Sequence, residues 1–215
     1  MSRHIKRRLR QTKYIFYQET LVDFKDHFWS FLGAFFGIGL IAFLQSQHFS
    51  EIENIFLIGS FGASSVLIYG AVNSPLAQPR NLIGGHVLSA LVGVTAYKFL
   101  PDILWLNASI AVASSIVVMQ ITKTMHPPGG ATALIAVLPS DKIQELGYWY
   151  ALSPVLSGVL ILLIMALIFN NIPKGRKYPH HIKQTKYYHM RRMLKNKDYV
   201  FSGNKSFGIK SFSLL

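Results

Sequence analysis

Five long runs without a charged side chain constrain this chain more than any other feature of its sequence. The runs are Phe28–Leu44, Asn54–Val72, Leu82–Tyr97, Ile103–Thr122 and Tyr148–Ile172. A bilayer core of about 30 Å requires roughly 17–25 residues of helix, and the third run, which is slightly short, can borrow Lys98–Leu100 by snorkelling. Because a soluble fold would have to bury five such runs in succession, the sequence predicts an all-α, polytopic membrane protein.

The charged residues lie mostly outside these runs. Of 22 lysines and arginines, seven fall in residues 1–26 and eleven in residues 171–215. Basic tails on both sides of a membrane block follow the positive-inside pattern, which predicts cytoplasmic termini and an integral protein of the cell (inner) membrane. The tails are expected to contact anionic lipid headgroups, so the net charge of +13 indicates membrane contact more than nucleic-acid binding.

The same pattern divides the chain into three parts. Residues 1–26 and 173–215 form basic cytoplasmic segments, and residues 27–172 form the membrane block. A shift of 68 residues places Gly62-Ala63 on Gly130-Ala131 and Ser64 on Thr132. This match predicts two similar repeats, about 28–100 and 101–172, each made of a span, a short broken or re-entrant small-residue helix, and a second span.

Two topologies are compatible with such repeats. Re-entrant short helices would give four crossings and parallel repeats, whereas short helices that cross fully would give six crossings and inverted repeats. Transporters with internal repeats of this kind place their binding sites at the interface between the repeats. The charges in the loops favour six crossings.

The stretch "KTMHPPGGATALIAVLP" interrupts the membrane block at residues 123–139. Pro127 and Pro128 cannot continue a helix but are accepted in its first turn. The backbone that follows presents N–H groups at the positive end of a helix, which is typical of an anion site. The residues predicted to donate here are Gly129, Gly130, Ala131 and Thr132.

The stretch "SFGASS" offers similar chemistry in the first repeat, with two hydroxyls added. Its predicted anion ligands are Gly62, Ala63, Ser64 and Ser65. Backbone of this kind is stable in a membrane only when it is buried in protein or lines a wet cavity. The two stretches are therefore predicted to face each other across an anion-binding site, although helix packing alone would also favour small residues.

Other polar residues are assigned to the route of the anion. His126 is predicted to gate or orient the site, Arg80 to attract anions at its mouth, and Asn81 and His86 to lie on the pathway. The alternative for His86 is a hydrogen bond to a neighbouring carbonyl. No aspartate or glutamate lies inside an apolar run, which argues against a cation site or a carboxylate proton relay.

Two other classes of function are compatible with the sequence. An intramembrane enzyme using His86 and His126 would need a third metal ligand or a carboxylate base, and neither is visible, so no catalytic residue, metal or cofactor is predicted. A non-transporting membrane partner or lipid-binding subunit would use the small-residue stretches for packing and the tails for recruitment.

The stretches "FGASSVLIYGAVNSPLAQPRNLIGGHVLSALVGV" and "MHPPGGATALIAVLP" resemble the HPP family of integral membrane proteins, whose name comes from the triplet seen here as His126-Pro127-Pro128. The resemblance covers about residues 25–172. It implies four transmembrane helices and a role in transport, because plastid and cyanobacterial members are associated with nitrite transport. The expected function is that of a transporter or channel for a small monovalent anion, nitrite first and nitrate next, assembled as a homo-oligomer.

Overall fold

A computed structural model of the protein describes residues 24–49 and 51–180, and this part of the chain is helical. The helices in chain order are α1 (Phe24–Ser46), α2 (Glu51–Ser65), α3 (Pro79–Phe99), α4 (Leu104–Thr122), α5 (Pro127–Ile135), α6 (Asp141–Leu146) and α7 (Ser157–Phe169). A π-helical turn, Val66–Gly70, extends α2, and a 3₁₀ turn, Pro75–Ala77, precedes α3. The predictions about the remaining residues of both basic tails lie outside the described part.

The helix boundaries follow from local chemistry. Pro79 begins α3 at a position where no backbone N–H is needed. Lys123 ends α4 in the left-handed conformation, with φ 57°. Ser140 caps α6 by accepting a hydrogen bond from the Ile143 amide, and Gly147, with φ +51°, ends that helix.

Four stretches are long and apolar enough to cross a membrane, which confirms the expectation of a polytopic helical protein. They are Phe24–Ser46, Pro79–Phe99, Leu104–Thr122 and Asp141–Phe169, the last built from α6, two irregular turns and α7. Large apolar side chains point outward from them: Phe31 is 63% exposed and Trp105 is 71% exposed. Such outward faces are suited to lipid.

The contacts between helix ends show how the chain runs through the bundle. Lys142, after α5, donates to the carbonyl of His48, just after α1, so α5 and the turn behind it connect opposite ends of the bundle. Within the described residues, α5 is thus a short helix between two of the stretches long enough to span, Leu104–Thr122 and Asp141–Phe169. With nine residues at 1.5 Å each, α5 is only about 14 Å long, less than half of a bilayer core.

The side chain of Tyr69 locks the end of α2 against α1 and α7. Its hydroxyl donates to the carbonyl of Leu162 at 3.1 Å, and its ring covers Gly33 and Gly37. A Cβ added at Gly33 would lie 2.5 Å from Tyr69 Cδ1, whereas a Cβ at Gly39 would meet nothing within 4 Å.

Replacing Gly33 with alanine should therefore destabilise the bundle, while Gly39→Ala should not. Overpacking of this kind costs about 1–3 kcal/mol, and a helical Gly→Ala change in open space is neutral or favourable. Thermal unfolding of the purified full chain in detergent, followed by tryptophan fluorescence, measures the difference. Equal midpoints for the two variants would contradict the packing of Tyr69.

Residues 170–180, here called the strap, fold back across the end of the bundle. Asn170 donates to the carbonyl of Ile68 and Arg176 to that of Tyr69, which supplies partners to carbonyls near the π-helical turn. Arg176 also pairs with Asp26 of α1 at 2.9 Å.

The strap continues onto the turn before α3. Tyr178 donates to the carbonyl of Ala77 at 2.8 Å, and the amide of His180 donates to Gln78 Oε1 at 2.7 Å. Burial raises the pKa of Tyr178 above its usual range, which keeps its hydroxyl a donor. The packed core thus reaches past residue 172, into the segment that the sequence assigned to the basic tail.

Candidate functional site

A cluster of polar side chains is buried where α2, α3 and α5 meet. The His–Ser cluster consists of Ser60, Ser64, His86, His126 and Thr132, and none of them is more than 4% exposed. α2 supplies the two serines and α3 supplies His86, whereas His126 caps the start of α5 and Thr132 lies within it. The structure thus brings the two predicted stretches together.

Ser64 lies at the centre of the cluster. Its Oγ is 2.7 Å from His86 Nε2 and 3.0 Å from His126 Nε2. The two imidazole rings are 5.0 Å apart. The other nitrogen of His126, Nδ1, donates to the carbonyl of Leu76 at 2.8 Å.

Thr132 extends the cluster along α5. Its Oγ1 is 2.6 Å from His86 Nδ1 and 2.8 Å from Ser60 Oγ. Its carbonyl accepts a hydrogen bond from Tyr150 at 3.1 Å. Both nitrogens of each imidazole are therefore engaged.

Glycines allow α5 to approach α3 closely enough for these contacts. A Cβ added at Gly129 would lie 2.6 Å from the carbonyl oxygen of Gly85, and a Cβ added at Gly85 would overlap the Cβ of His126. Gly85 of "GGH" and Gly129 of "PPGG" thus serve helix contact. Side chains of α5 can consequently reach Ser60, Ser64 and His86.

The backbone at the start of α5 offers fewer free donors than the sequence pattern indicates. Pro127 and Pro128 have no N–H, and the N–H of Gly129 donates to the carbonyl of His126 at 2.8 Å. The hydrogen-bonding groups of the site are thus mainly side chains, among them Thr132.

The remaining residues predicted for the first stretch lie around the cluster. Ala63 is exposed, and Gly62 has open space where a Cβ would lie. Ser65 is buried beside Ser64, but its hydroxyl has no partner among the described residues. In the second stretch, Ala131 is half-buried, and a Cβ at Gly130 would face Val112 of α4 at 3.8 Å.

The two polar residues predicted at a mouth hold the chain between α4 and α5. Arg80 donates to the carbonyl of Thr122 at 2.7 Å, and Asn81 donates to that of Met125 at 2.7 Å. Arg80 is exposed, so its guanidinium also remains accessible at this end of the bundle.

Two serines that the sequence analysis did not assign belong to the site. Ser60 is one helical turn before Ser64, and Ser89 is one turn after His86. The Ser89 hydroxyl is fully buried without a partner among the described residues, and it lies 2.9 Å from where a Cβ of Gly129 would be. The spacings i, i+4 and i, i+3 place each pair on one helix face, which is the signal that could have identified them.

A cavity of about 490 Å³ opens at the opposite end of the bundle, between the end of α1 and the region around α6 and α7. Its lining includes Gln45, whose buried Oε1 has no partner among the described residues, and Gly158. The ring of Phe61 packs on Gly158, where a Cβ would be 2.5 Å from Cζ. The same ring is 5.6 Å from that of His86, so Phe61 contacts both Gly158, which lines the cavity, and His86 of the His–Ser cluster.

Comparisons with known proteins agree with this architecture. A family model described as "HPP, transmembrane region" matches residues 19–179. One transmembrane protein of Dictyostelium discoideum is 47% identical over 163 residues, which is 73% of this chain and 51% of the relative. A second from the same organism is 43% identical over 163 residues, 73% of this chain and 56% of the relative. The chain thus spans about half the length of these relatives, and no solved structure matches it.

Proposed function

The chain belongs to the HPP family of transmembrane proteins, and on that premise we propose that it transports a small monovalent anion, nitrite first and nitrate next. The observation that carries the proposal is the His–Ser cluster with the Ser89 hydroxyl beside it. Polar groups buried within membrane helices are costly and mark the route of a solute. Hydroxyls and imidazole N–H groups are donors, and donors suit an anion.

The unpartnered hydroxyls of Ser65 and Ser89 support anion binding in particular. A buried hydroxyl without a partner costs roughly 1–3 kcal/mol, and a bound anion would remove that cost by accepting its hydrogen. Both serines are adjacent to residues of the cluster, Ser65 in sequence and Ser89 by one helical turn. An anion bound between α2, α3 and α5 would accept a hydrogen bond from each of these two hydroxyls.

The burial of the cluster favours a transporter over an open channel. His86 and His126 are both 0% exposed, and Phe61 packs both on His86 and on Gly158, which lines the cavity of about 490 Å³. An anion entering from the cavity would have to displace the Phe61 ring. Alternating access would require that step to alternate with an opening at the other end of the cluster, near Leu76.

Ser89→Ala is the sharpest test of this site, because the Ser89 hydroxyl makes no hydrogen bond with the described residues whose loss would disturb the fold. A lost hydrogen bond to a charged ligand costs about 1.5–3 kcal/mol, so the apparent affinity for nitrite should fall roughly ten- to hundredfold. The measurement is nitrite, nitrate and chloride flux into liposomes containing the full chain.

Ser109→Ala is the matched control. Its hydroxyl is exposed on α4 and donates to the carbonyl of Trp105 in its own helix, away from the cluster, so flux should be unchanged. Wild-type protein that moves none of the three anions would refute the proposed function. Flux that survives Ser89→Ala unaltered would refute the assignment of the site.

A further inference from the structure

The hydrogen bonds of the His–Ser cluster form one continuous series, a hydrogen-bond chain, in which each donor and acceptor is fixed. The Leu76 carbonyl can only accept, so the hydrogen of a neutral His126 is on Nδ1 and its Nε2 is an acceptor. Ser64 therefore donates to His126 Nε2.

The same reasoning fixes the next members of the chain. Because a hydroxyl has one hydrogen, Ser64 must accept from His86, so the hydrogen of His86 is on Nε2. Its bare Nδ1 then accepts from Thr132, and Thr132 accepts from Ser60. With both imidazoles neutral, every member of this chain is satisfied.

The cluster can also hold one additional proton without breaking apart. If His126 is protonated on Nε2, it donates to Ser64, and Ser64 can turn its hydrogen to the carbonyl of Ser60, 3.2 Å away. Ser64 then accepts from both imidazoles. Protonation of His86 would instead turn Thr132 to the carbonyl of Pro128 at 3.4 Å, a longer bond, which makes His126 the better site.

The surroundings provide no charge to balance that proton. In the described part of the chain, the hydrogen bonds of both imidazoles go to hydroxyls and a carbonyl. The titratable groups that face them are each other and Tyr150, which touches Thr132 from the turn before α7. The residues of α2 that face the imidazoles are serines and Phe61, which carry no charge. Arg80 of α3 is exposed at the end of its helix and donates to the carbonyl of Thr122 instead.

We propose that His126 binds one proton together with each anion, so that transport is electroneutral proton–anion symport. This inference rests on the proposed function and adds its coupling ion. An unbalanced charge inside a membrane bundle is costly, and a neighbouring anion removes that cost for the proton, as the proton does for the anion. The coupling is reciprocal: each ligand must raise the affinity for the other by the same factor.

The transport experiment uses liposomes with a pH-sensitive dye inside and the membrane potential clamped by valinomycin and potassium. Addition of nitrate or nitrite should acidify the lumen by about one proton per anion and be independent of the potential. Protein-free liposomes give the passive background. Anion flux that follows the potential, without protons, would overturn the symport while leaving the proposed function intact. Absence of any flux would overturn both.

Two variants separate proton binding from a merely structural role. His126→Asn retains an amide donor for the Leu76 carbonyl but cannot be protonated, so the ratio of protons to anions should fall from about one toward zero. His86→Asn should keep that ratio at a lower rate. A ratio that stays unchanged in His126→Asn would overturn the assignment of the proton.

A second measurement examines the chain of hydrogen bonds without any transport. Nitrogen-15 NMR of histidine-labelled protein in nanodiscs should show His86 protonated on Nε2 and His126 on Nδ1. The two asparagine variants assign the signals by difference. The opposite tautomers would overturn the directional chain on which the inference depends.

Discussion

Replacing Gly129 with alanine is expected to lower the stability of the protein by forcing α5 away from α3. The added Cβ would lie 2.6 Å from the carbonyl oxygen of Gly85 and 3.0 Å from its carbonyl carbon. Backbone atoms cannot move aside as a flexible side chain can, so the cost should reach the upper end of the usual range for overpacking, about 3 kcal/mol. For a chain of this size the midpoint of thermal unfolding should fall by roughly 6–12 °C.

Gly130→Ala is the matched control for this prediction. The neighbouring Cβ would meet only the Val112 side chain at 3.8 Å, an ordinary contact. Alanine also restricts the unfolded chain, so stability should be equal or higher by up to about 1 kcal/mol. The expected order would be contradicted if Gly129→Ala melted at or above the midpoint of Gly130→Ala.

Replacing Ser64 with alanine should abolish transport and weaken the fold together. The change leaves the Nε2 atoms of both His86 and His126 without a partner. Each unsatisfied buried group costs about 1–3 kcal/mol, so the free energy of unfolding should fall by about 2–6 kcal/mol. Nitrite flux per folded protein should fall by roughly a hundredfold or more, since the link between the two imidazoles is gone.

Ser65→Ala separates this effect from the loss of a hydroxyl in general. Ser65 is also buried, yet its Oγ has no partner among the described residues, so its removal should not lower stability and should raise it by up to about 1–3 kcal/mol, the cost of an unsatisfied buried hydroxyl. Unfolding of both variants in the same detergent, with flux measured in liposomes, checks the pair. Equal destabilisation would show that the central position of Ser64 is wrong.

Much of the membrane architecture could be predicted from the sequence. Four of the five uncharged runs coincide with the four spanning stretches, because only a membrane or a very large core accommodates them. The fifth, Asn54–Val72, instead forms most of α2 and the π-helical turn after it. The double proline predicted the helix start at Pro127, which the structure confirms, because proline is excluded from a helix interior. His86 and His126 were identified because polar residues within apolar runs are rare.

The missing part of the site could not be predicted because it depends on which faces meet. Gly62 and Ser64 belong to one stretch, yet only Ser64 makes hydrogen bonds within the cluster, and Ser60 joins it from one turn away. The hydrogen bond from Gly129 to the His126 carbonyl is likewise a matter of local geometry. Arg80 binds the end of α4. That helix ends at Lys123 in the left-handed conformation, which the lysine residue type does not predict.

The strap has a mechanical consequence for whatever the chain does after residue 180. Tyr178 donates a hydrogen bond to the carbonyl of Ala77. The carbonyl of the preceding residue, Leu76, accepts from Nδ1 of His126. A movement of the strap would therefore also move that turn, and with it the Leu76 carbonyl that accepts from His126. The segment after the last span and the buried histidines are thus connected through the single short turn Pro75–Ala77.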